Sequence, residues 1–392
     1  MSGVLAALVA LAALRGSLEA SSRLQVRVRN AASLDGLALD AEVSPDLKLD
    51  VRARRWDLTA DYSPRFTRNL SGADAQPSIF HQGSLSASFQ DRRASLSIQE
   101  DAGHGSSSFT VLASDPSAAS GTLFQLGARP RTDTFAYAWS RTGLLGRLAV
   151  TRRWGITLSL DCSLSGGTDA GSRASMPLQT RLHSGFGAEY ALSRRDQLTS
   201  TVDAFRSDFY AGWGDTLLQG SVAWRHAWGR TTVSTVTGGA GFSTSRDSVT
   251  GERRAAAHPV GAAAVVYTPR GSSLDLGLSV RLSPVIDRLS GGVDGRVEGV
   301  VSLAWRPTRA LAIEGQVGAA RSILWDNPDA VALVYQGLNL SFEANDLFKI
   351  EGGARGAWTR LRTDDAPALQ WVTFVGMTFT APTLRFCRPE RS

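Results

Sequence analysis

Lysine is nearly absent from this 392-residue chain: it occurs at Lys48 and Lys349, although Lys and Arg together number 42 and the formal net charge is +6. The positive charge is carried by Arg residues dispersed along the sequence, often beside acidic neighbours in short turns. No basic stripe interleaved with exposed aromatics is visible, so a nucleic-acid-binding face is not expected. The excess of Arg over Lys reads as a compositional bias. Cysteine is scarce too. Cys162 and Cys387 are too few for a disulfide scaffold, and neither sits in a CxxC or Cys/His cluster with metal spacing. Cys162 falls on the apolar phase of an extended segment, as a small membrane-facing hydrophobe would. The five histidines, His81, His104, His183, His226 and His258, form no HExxH, and no GxSxG or phosphate-cradling loop occurs. The chain is therefore read as a non-enzyme with no catalytic, cofactor-binding or metal-binding residues and no cofactor.

Long apolar runs are also missing. The longest, Val4 to Leu14, is too short to cross a bilayer as a helix and has the length of a signal-peptide core. Arg15-Gly16-Ser17-Leu18-Glu19-Ala20 and a polar segment follow it. The expectation is a signal peptide over 1–20, cleaved near Ala20, and a single domain over 21–392. No basic residue precedes the apolar run, which points to a true start upstream of Met1.

What is abundant is alternation. From Leu37 the odd positions read Leu37, Leu39, Ala41, Val43, Pro45, Leu47, Leu49 and Val51, while Asp40, Glu42, Lys48, Asp50 and Arg52 occupy even ones. After Arg54-Arg55 the phase resumes with Trp56, Leu58, Ala60, Tyr62 and Pro64 against Asp57, Thr59, Asp61, Ser63 and Arg65. The same period of two returns in Leu274–Leu282, Val297–Trp305 and Leu311–Val317, and helical spacing fits none of these segments as well. Many runs need ten or more residues, whereas strands of soluble proteins average about five or six. That length suits tilted strands crossing hydrocarbon.

Short, often Arg-rich connections near 54–55, 91–93, 151–154, 193–197, 227–230, 268–272, 306–310 and 343–348 alternate with longer segments, as periplasmic turns and extracellular loops do in outer-membrane barrels. Counting strands gives a single all-β, antiparallel, up-and-down transmembrane barrel of about 18 strands, with 16 as the alternative. Both termini are then periplasmic. Hydrocarbon offers no hydrogen-bond partner to an open sheet edge, so the last strand must pair with the first. Trp56, Trp154, Trp228 and Trp305 lie at or beside the short turns and are expected to form a periplasmic aromatic girdle.

If the apolar phase faces lipid, the other phase turns Lys48, Asp50, Arg52, Asp57, Asp61, Asp161, Asp203, Asp275, Arg281, Arg296, Glu298, Glu314, Glu343, Glu351 and Arg355 into the lumen. Both signs are present, which suits an aqueous path for hydrophilic molecules. The segment 101–130, with Asp101-Ala102-Gly103-His104-Gly105 and a weakly apolar stretch from Phe109 to Leu112, is a candidate constriction loop or an exposed outer loop.

Two stretches carry a family resemblance. Asp57-Leu58-Thr59-Ala60-Asp61-Tyr62-Ser63-Pro64-Arg65 and Gln99-Glu100-Asp101-Ala102-Gly103-His104-Gly105 resemble outer-membrane barrels of myxobacterial type. Barrels of this sort, with about 18 strands, are similar to the integral outer-membrane component proposed for polysaccharide export. The resemblance implies an exit barrel working with a periplasmic polysaccharide export protein that has no membrane-spanning part of its own. Two alternatives stay open at this point: a general diffusion porin, and a non-conducting structural or adhesive barrel. In each case the partners expected are outer-membrane lipid and the β-barrel assembly machinery of a Gram-negative cell.

Overall fold

The computed structural model describes residues 15–31, 36–71, 77–108, 134–209, 214–246, 251–286, 293–323, 331–361 and 368–386. Alternating apolar and polar residues form β1 (Arg15–Ala31), β2 (Gly36–Arg52), β3 (Trp56–Tyr62), β4 (Arg65–Asn69), β5 (Ser78–Gln90), β6 (Ala94–Ser108), β7 (Thr134–Ala149), β8 (Trp154–Gly167), β9 (Gln179–Ala191) and β10 (Asp196–Phe209). The pattern continues through β11 (Gly214–Ala227), β12 (Thr232–Arg246), β13 (Arg253–Tyr267), β14 (Leu274–Ile286), β15 (Val293–Trp305), β16 (Leu311–Ser322), β17 (Val331–Asn345), β18 (Phe348–Leu361), β19 (Ala368–Thr380) and β20 (Leu384–Phe386).

These make one closed antiparallel barrel of 18 strands, because two staves are each interrupted once. β3 and β4 are halves of one stave. Pro64 has no N–H to give to the ladder, and Ser44 Oγ donates to its carbonyl at 3.1 Å. The register against β2 is the same on both sides of the break, Leu47↔Tyr62 and Val43↔Phe66. β19 and β20 are the other pair, separated by a stretch containing Pro382. There the register slips by one residue, from Ser21↔Thr380 to Leu18↔Leu384, as at a β-bulge. Leu384 thereby stays on the exposed apolar face.

Closure is made by β19 on β1, from Ser21↔Thr380 to Arg29↔Val372. The terminal strands therefore leave no open edge to hydrocarbon, where each unpaired backbone group would cost several kcal/mol. Unbroken strands run from 12 residues in β16 to 17 in β1 and β2. At a rise of ~3.3 Å per residue and a tilt of about 40°, they climb ~30–43 Å, enough for about 30 Å of hydrocarbon.

The two faces differ as the alternation requires. Leu24, Val43, Leu158, Phe186, Val222 and Leu278 are among the many large apolar side chains exposed on the outside. The opposite phase buries Gln25, Arg27, Arg29, Asp40, Glu42 and Arg296. Cys162 is exposed and shares the phase of Leu158 and Leu160.

Eight short connections join the strands at one end, and polar side chains tie several of them. Ser193 Oγ accepts from the backbone N–H of Arg195 and Asp196, and Asn345 Oδ1 from those of Leu347 and Phe348. The other connections join the strands at the opposite end. One of them carries α1 (Ala170–Ser175), whose N-cap Asp169 accepts from Ser172 N at 2.8 Å. That bond holds the Asp169 carboxyl below the usual carboxylate range.

The fold departs from the sequence reading at Asp101–Gly105. These residues are not a loop: β6 continues to Ser108 and pairs with β7 down to Thr134. Their loop-like composition has a packing cause. Gly103 leaves room for the Trp139 ring, and Gly105, at φ 148°, lies so close to β5 that a β-carbon would fall 2.1 Å from the Ile79 carbonyl oxygen. The stretch Phe109 to Leu112 lies outside the described residues. The position near Ala20, where the sequence leads one to expect signal-peptide cleavage, falls inside β1, where Arg15–Ala20 pair with Leu47–Arg52.

Candidate functional site on the interior face

All fifteen charged residues expected inside the barrel carry the phase opposite to the exposed apolar set. The structure joins some of them into pairs. Lys48 Nζ lies 3.4 Å from Asp50, which also accepts from Thr59 Oγ1 at 2.7 Å. Asp61 stands opposite Lys48 in the β2–β3 ladder. Arg52 and Asp57 meet at 3.7 Å at the short-turn rim, where both are exposed. Asp161 pairs with Arg141 at 2.5 Å and Asp203 with His183 at 2.9 Å. Asp275 accepts from Thr268 at 2.5 Å. Arg281 stands opposite Glu298, which accepts from the Tyr335 hydroxyl at 2.8 Å. Arg296 contacts Asp294 at 3.3 Å, Glu343 lies opposite Lys349, and Glu351 bridges Arg23 and Lys349 at 2.8 and 2.7 Å.

The densest group is one that the sequence reading left out. On β1 the run Arg23, Gln25, Arg27, Arg29 occupies alternate positions on the interior face. Arg29 Nε lies 2.6 Å from Asp40, and Arg27 Nη2 lies 2.7 Å from Glu42 and 3.1 Å from Gln25 Oε1. Thr67 on β4 adds a bond to Glu42 at 3.3 Å. The signal was present as the polar phase of a strand recognised only by Leu24, Val26 and Val28. Closure then brings β16–β19 alongside, and a recess of about 250 Å³ opens between the two groups of strands. Arg23, Arg27, Arg65, Glu314 and Glu351 border it, as do Arg355 and Phe374.

A second interior group spans β7–β10. The His183 ring stacks on Phe205 with centroids 4.4 Å apart, and the Arg181 guanidinium lies 4.8 Å from the same ring. Arg147 reaches Glu189 at 2.6 Å. Among the described residues, no group of three or more His, Cys, Asp or Glu side chains has the geometry of a metal site.

The four expected girdle residues all sit at the short-turn end and are exposed: Trp56 opens β3, Trp154 opens β8, Trp228 follows β11 and Trp305 closes β15. The sequence reading missed their partners. Trp56 packs on Phe89 at 4.9 Å, Trp154 on Tyr190 at 4.6 Å, and His226 lies between Trp224 and Trp228 at 5.5 and 4.6 Å.

A closed 18-strand barrel, apolar outside and lined within by paired charges, defines an integral outer-membrane channel protein. The family it belongs to follows from the sequence as a whole: residues 4–383 match the EpsX exopolysaccharide export family, and the chain is a member of it. No curated protein sequence matches. Among solved structures the chain is similar to the FrpB iron transporter from Neisseria meningitidis (F3-3 variant). The identity is 8%, the TM-score 0.51, and 93% of this chain and 81% of that one are covered. It is also similar to Pseudomonas aeruginosa OccK2 (OpdF), with 11% identity, a TM-score of 0.50, and 93% and 97% covered. At such identities these likenesses speak to the fold alone.

Proposed function

We propose that this barrel is the outer-membrane exit for a secreted polysaccharide, fed from the short-turn side by a periplasmic export protein. The observation that carries the reading is the family match over nearly the whole chain. An interior wall of ion pairs, from Arg29–Asp40 to Arg141–Asp161, supports it. Such a wall keeps the path hydrated, while paired charges do not hold a passing polymer the way a naked charge of one sign would. In this reading the short turns and both termini face the periplasm, the fifteen interior charges line the conduit, and Trp56, Trp154, Trp228 and Trp305 anchor the inner interface. The protein is exported behind a signal peptide and inserted by the β-barrel assembly machinery.

Deletion of the gene tests this. Surface polysaccharide should fall while uptake of small hydrophilic solutes stays unchanged. Unaltered surface polysaccharide with reduced solute uptake would overturn the export reading in favour of a diffusion porin.

A further inference from the structure

We infer that the short-turn rim holds anionic phospholipid by its phosphate headgroup at two places, one beside the Trp56–Phe89 pair and one beside the Trp154–Tyr190 pair. This goes beyond the export reading, because it concerns what the barrel binds from the membrane around it and not what passes through it.

The rim is unevenly charged. Four consecutive short turns carry arginine doublets, Arg54-Arg55, Arg92-Arg93, Arg152-Arg153 and Arg194-Arg195, and all eight side chains are exposed. The other four short turns carry no doublet, and the last of them holds Asp346. Arg55 meets Asp91 at 3.6 Å. The other seven doublet arginines make no ion pair among the described residues.

The turns themselves do not require these side chains. In every short turn one carbonyl accepts an N–H from the strand beyond. In the doublet turns that carbonyl belongs to the second arginine: Arg55 accepts from Gln90, Arg93 from Ala149, Arg153 from Ala191 and Arg195 from Ala227. In the remaining turns the same bond ends on Thr231, Ser273, Ala310 and Leu347. One backbone construction therefore accepts quite different side chains. It fixes the doublets in place without using their charge.

Aromatic pairs set the depth of the doublets. Trp56 directly follows Arg54-Arg55 and packs at 4.9 Å on Phe89, whose strand runs into Arg92-Arg93. Trp154 directly follows Arg152-Arg153 and packs at 4.6 Å on Tyr190, whose strand runs into Arg194-Arg195. Each pair thus joins two doublets on the outward face. Girdle tryptophans lie at headgroup level, and one further residue is only ~3.3 Å, so the guanidiniums stand among lipid phosphates. Their forked donors match a phosphate oxygen pair. An acidic protein would also meet the charge, but aromatic pairs turned toward hydrocarbon favour a lipid. Phe348 and Phe379, 5.2 Å apart beside the turn that holds Asp346, form an outward aromatic pair without a doublet. The two features are thus separable in this barrel.

The test uses the purified full-length barrel in vesicles of phosphatidylcholine with a minor fraction of phosphatidylglycerol. After brief extraction, mass spectrometry of the lipid that stays with the barrel should show phosphatidylglycerol enriched about fivefold over the bulk, the gain expected for one arginine engaged per lipid. Inorganic phosphate in the extraction buffer should not remove it. Changing Arg92, Arg93, Arg152 and Arg153 together to Gln should abolish the enrichment, and changing the same four to Lys should keep most of it. The matched set Arg230→Gln, Arg270→Gln, Arg306→Gln and Arg309→Gln removes equal charge outside the doublets and should leave it intact. If the first set loses the gel mobility of the unboiled barrel, Arg92→Gln with Arg93→Gln replaces it and should lose roughly half the enrichment, since one of two independent sites remains. Four results would each overturn the lipid sites. These are no enrichment in the wild type, displacement by phosphate, equal loss in the two Gln sets, or enrichment unchanged in the doublet variant. Binding of polyglutamate to the doublets with no lipid enrichment would make the rim a face for an acidic protein instead.

Discussion

Arg27 on β1 and Glu42 on β2 meet at 2.7 Å on the interior face, with side chains 6% and 2% exposed. The pair lies in a barrel wall yet is screened from solvent as closely as a pair in a soluble core. Removing one partner of such a pair leaves an uncompensated buried charge, whereas replacing both with apolar groups of similar volume is often neutral. Glu42→Ala should therefore destabilise the folded barrel by about 3–5 kcal/mol, and Arg27→Met with Glu42→Leu by much less. Denaturant titration of the barrel refolded in lipid vesicles measures both. Equal loss in the single and double variants would show that the pair is not the unit of stability.

The two strand faces should respond oppositely to one substitution. Val222 lies near the middle of β11 on the outward phase and is 53% exposed, while Gln219 is on the inward phase. Val222→Arg places a charge in hydrocarbon and should cost about 2–4 kcal/mol. Gln219→Arg should leave stability within about 0.5 kcal/mol and shift the reversal potential of the channel toward anions. Vesicle refolding reads the first effect and a planar bilayer under a salt gradient the second. A stable Val222→Arg protein would contradict the assignment of that face to lipid.

Most of the barrel was legible because lipid outside and water inside force a period of two on every stave, as in Leu274, Leu276, Leu278, Val280 and Leu282. The strand count and the closure of the last strand on the first follow from that period and from the turn spacing. The interior cluster was harder to read. Arg23, Arg27 and Arg29 obey the same alternation, but the pairing of Arg27 with Glu42 and of Arg29 with Asp40 depends on the β1–β2 register, and the approach of Arg23 to Glu351 and Phe374 exists only after closure. β19 hides its inward phase, since Val372 and Phe374 are as apolar as the outward Val375 and Met377. Asp101–Gly105 misled for a different reason: its glycines serve ring packing and a close strand approach, not a turn.

Orientation can be settled by labelling. In a background with Cys162 and Cys387 changed to Ser, Gly251→Cys at the long-loop end should react with a membrane-impermeant maleimide on intact cells. Arg92→Cys, in the short turn between β5 and β6, should react only after the outer membrane is opened. The reverse pattern would place the short turns outside. Lipids brominated near the headgroup should quench the fluorescence of Trp56, Trp154, Trp228 and Trp305 more than lipids brominated near the chain ends.

The start of the mature chain is open to a direct measurement. Cleavage after Ala20 would remove the β1 residues that face Leu47–Arg52, and also Gly16, Ser17 and Leu18, which pair with β20. The seam between the first and last staves would then lack ladder partners at its short-turn end, where β2 and β20 both depend on β1. Sequencing the N-terminus of protein taken from the outer membrane should accordingly find cleavage at or before Arg15. A mature chain beginning at Ser21 would mean that the seam is closed by β1–β19 pairing alone. In that case a second truncation, removing Leu384–Phe386, should leave the thermal stability of the barrel unchanged.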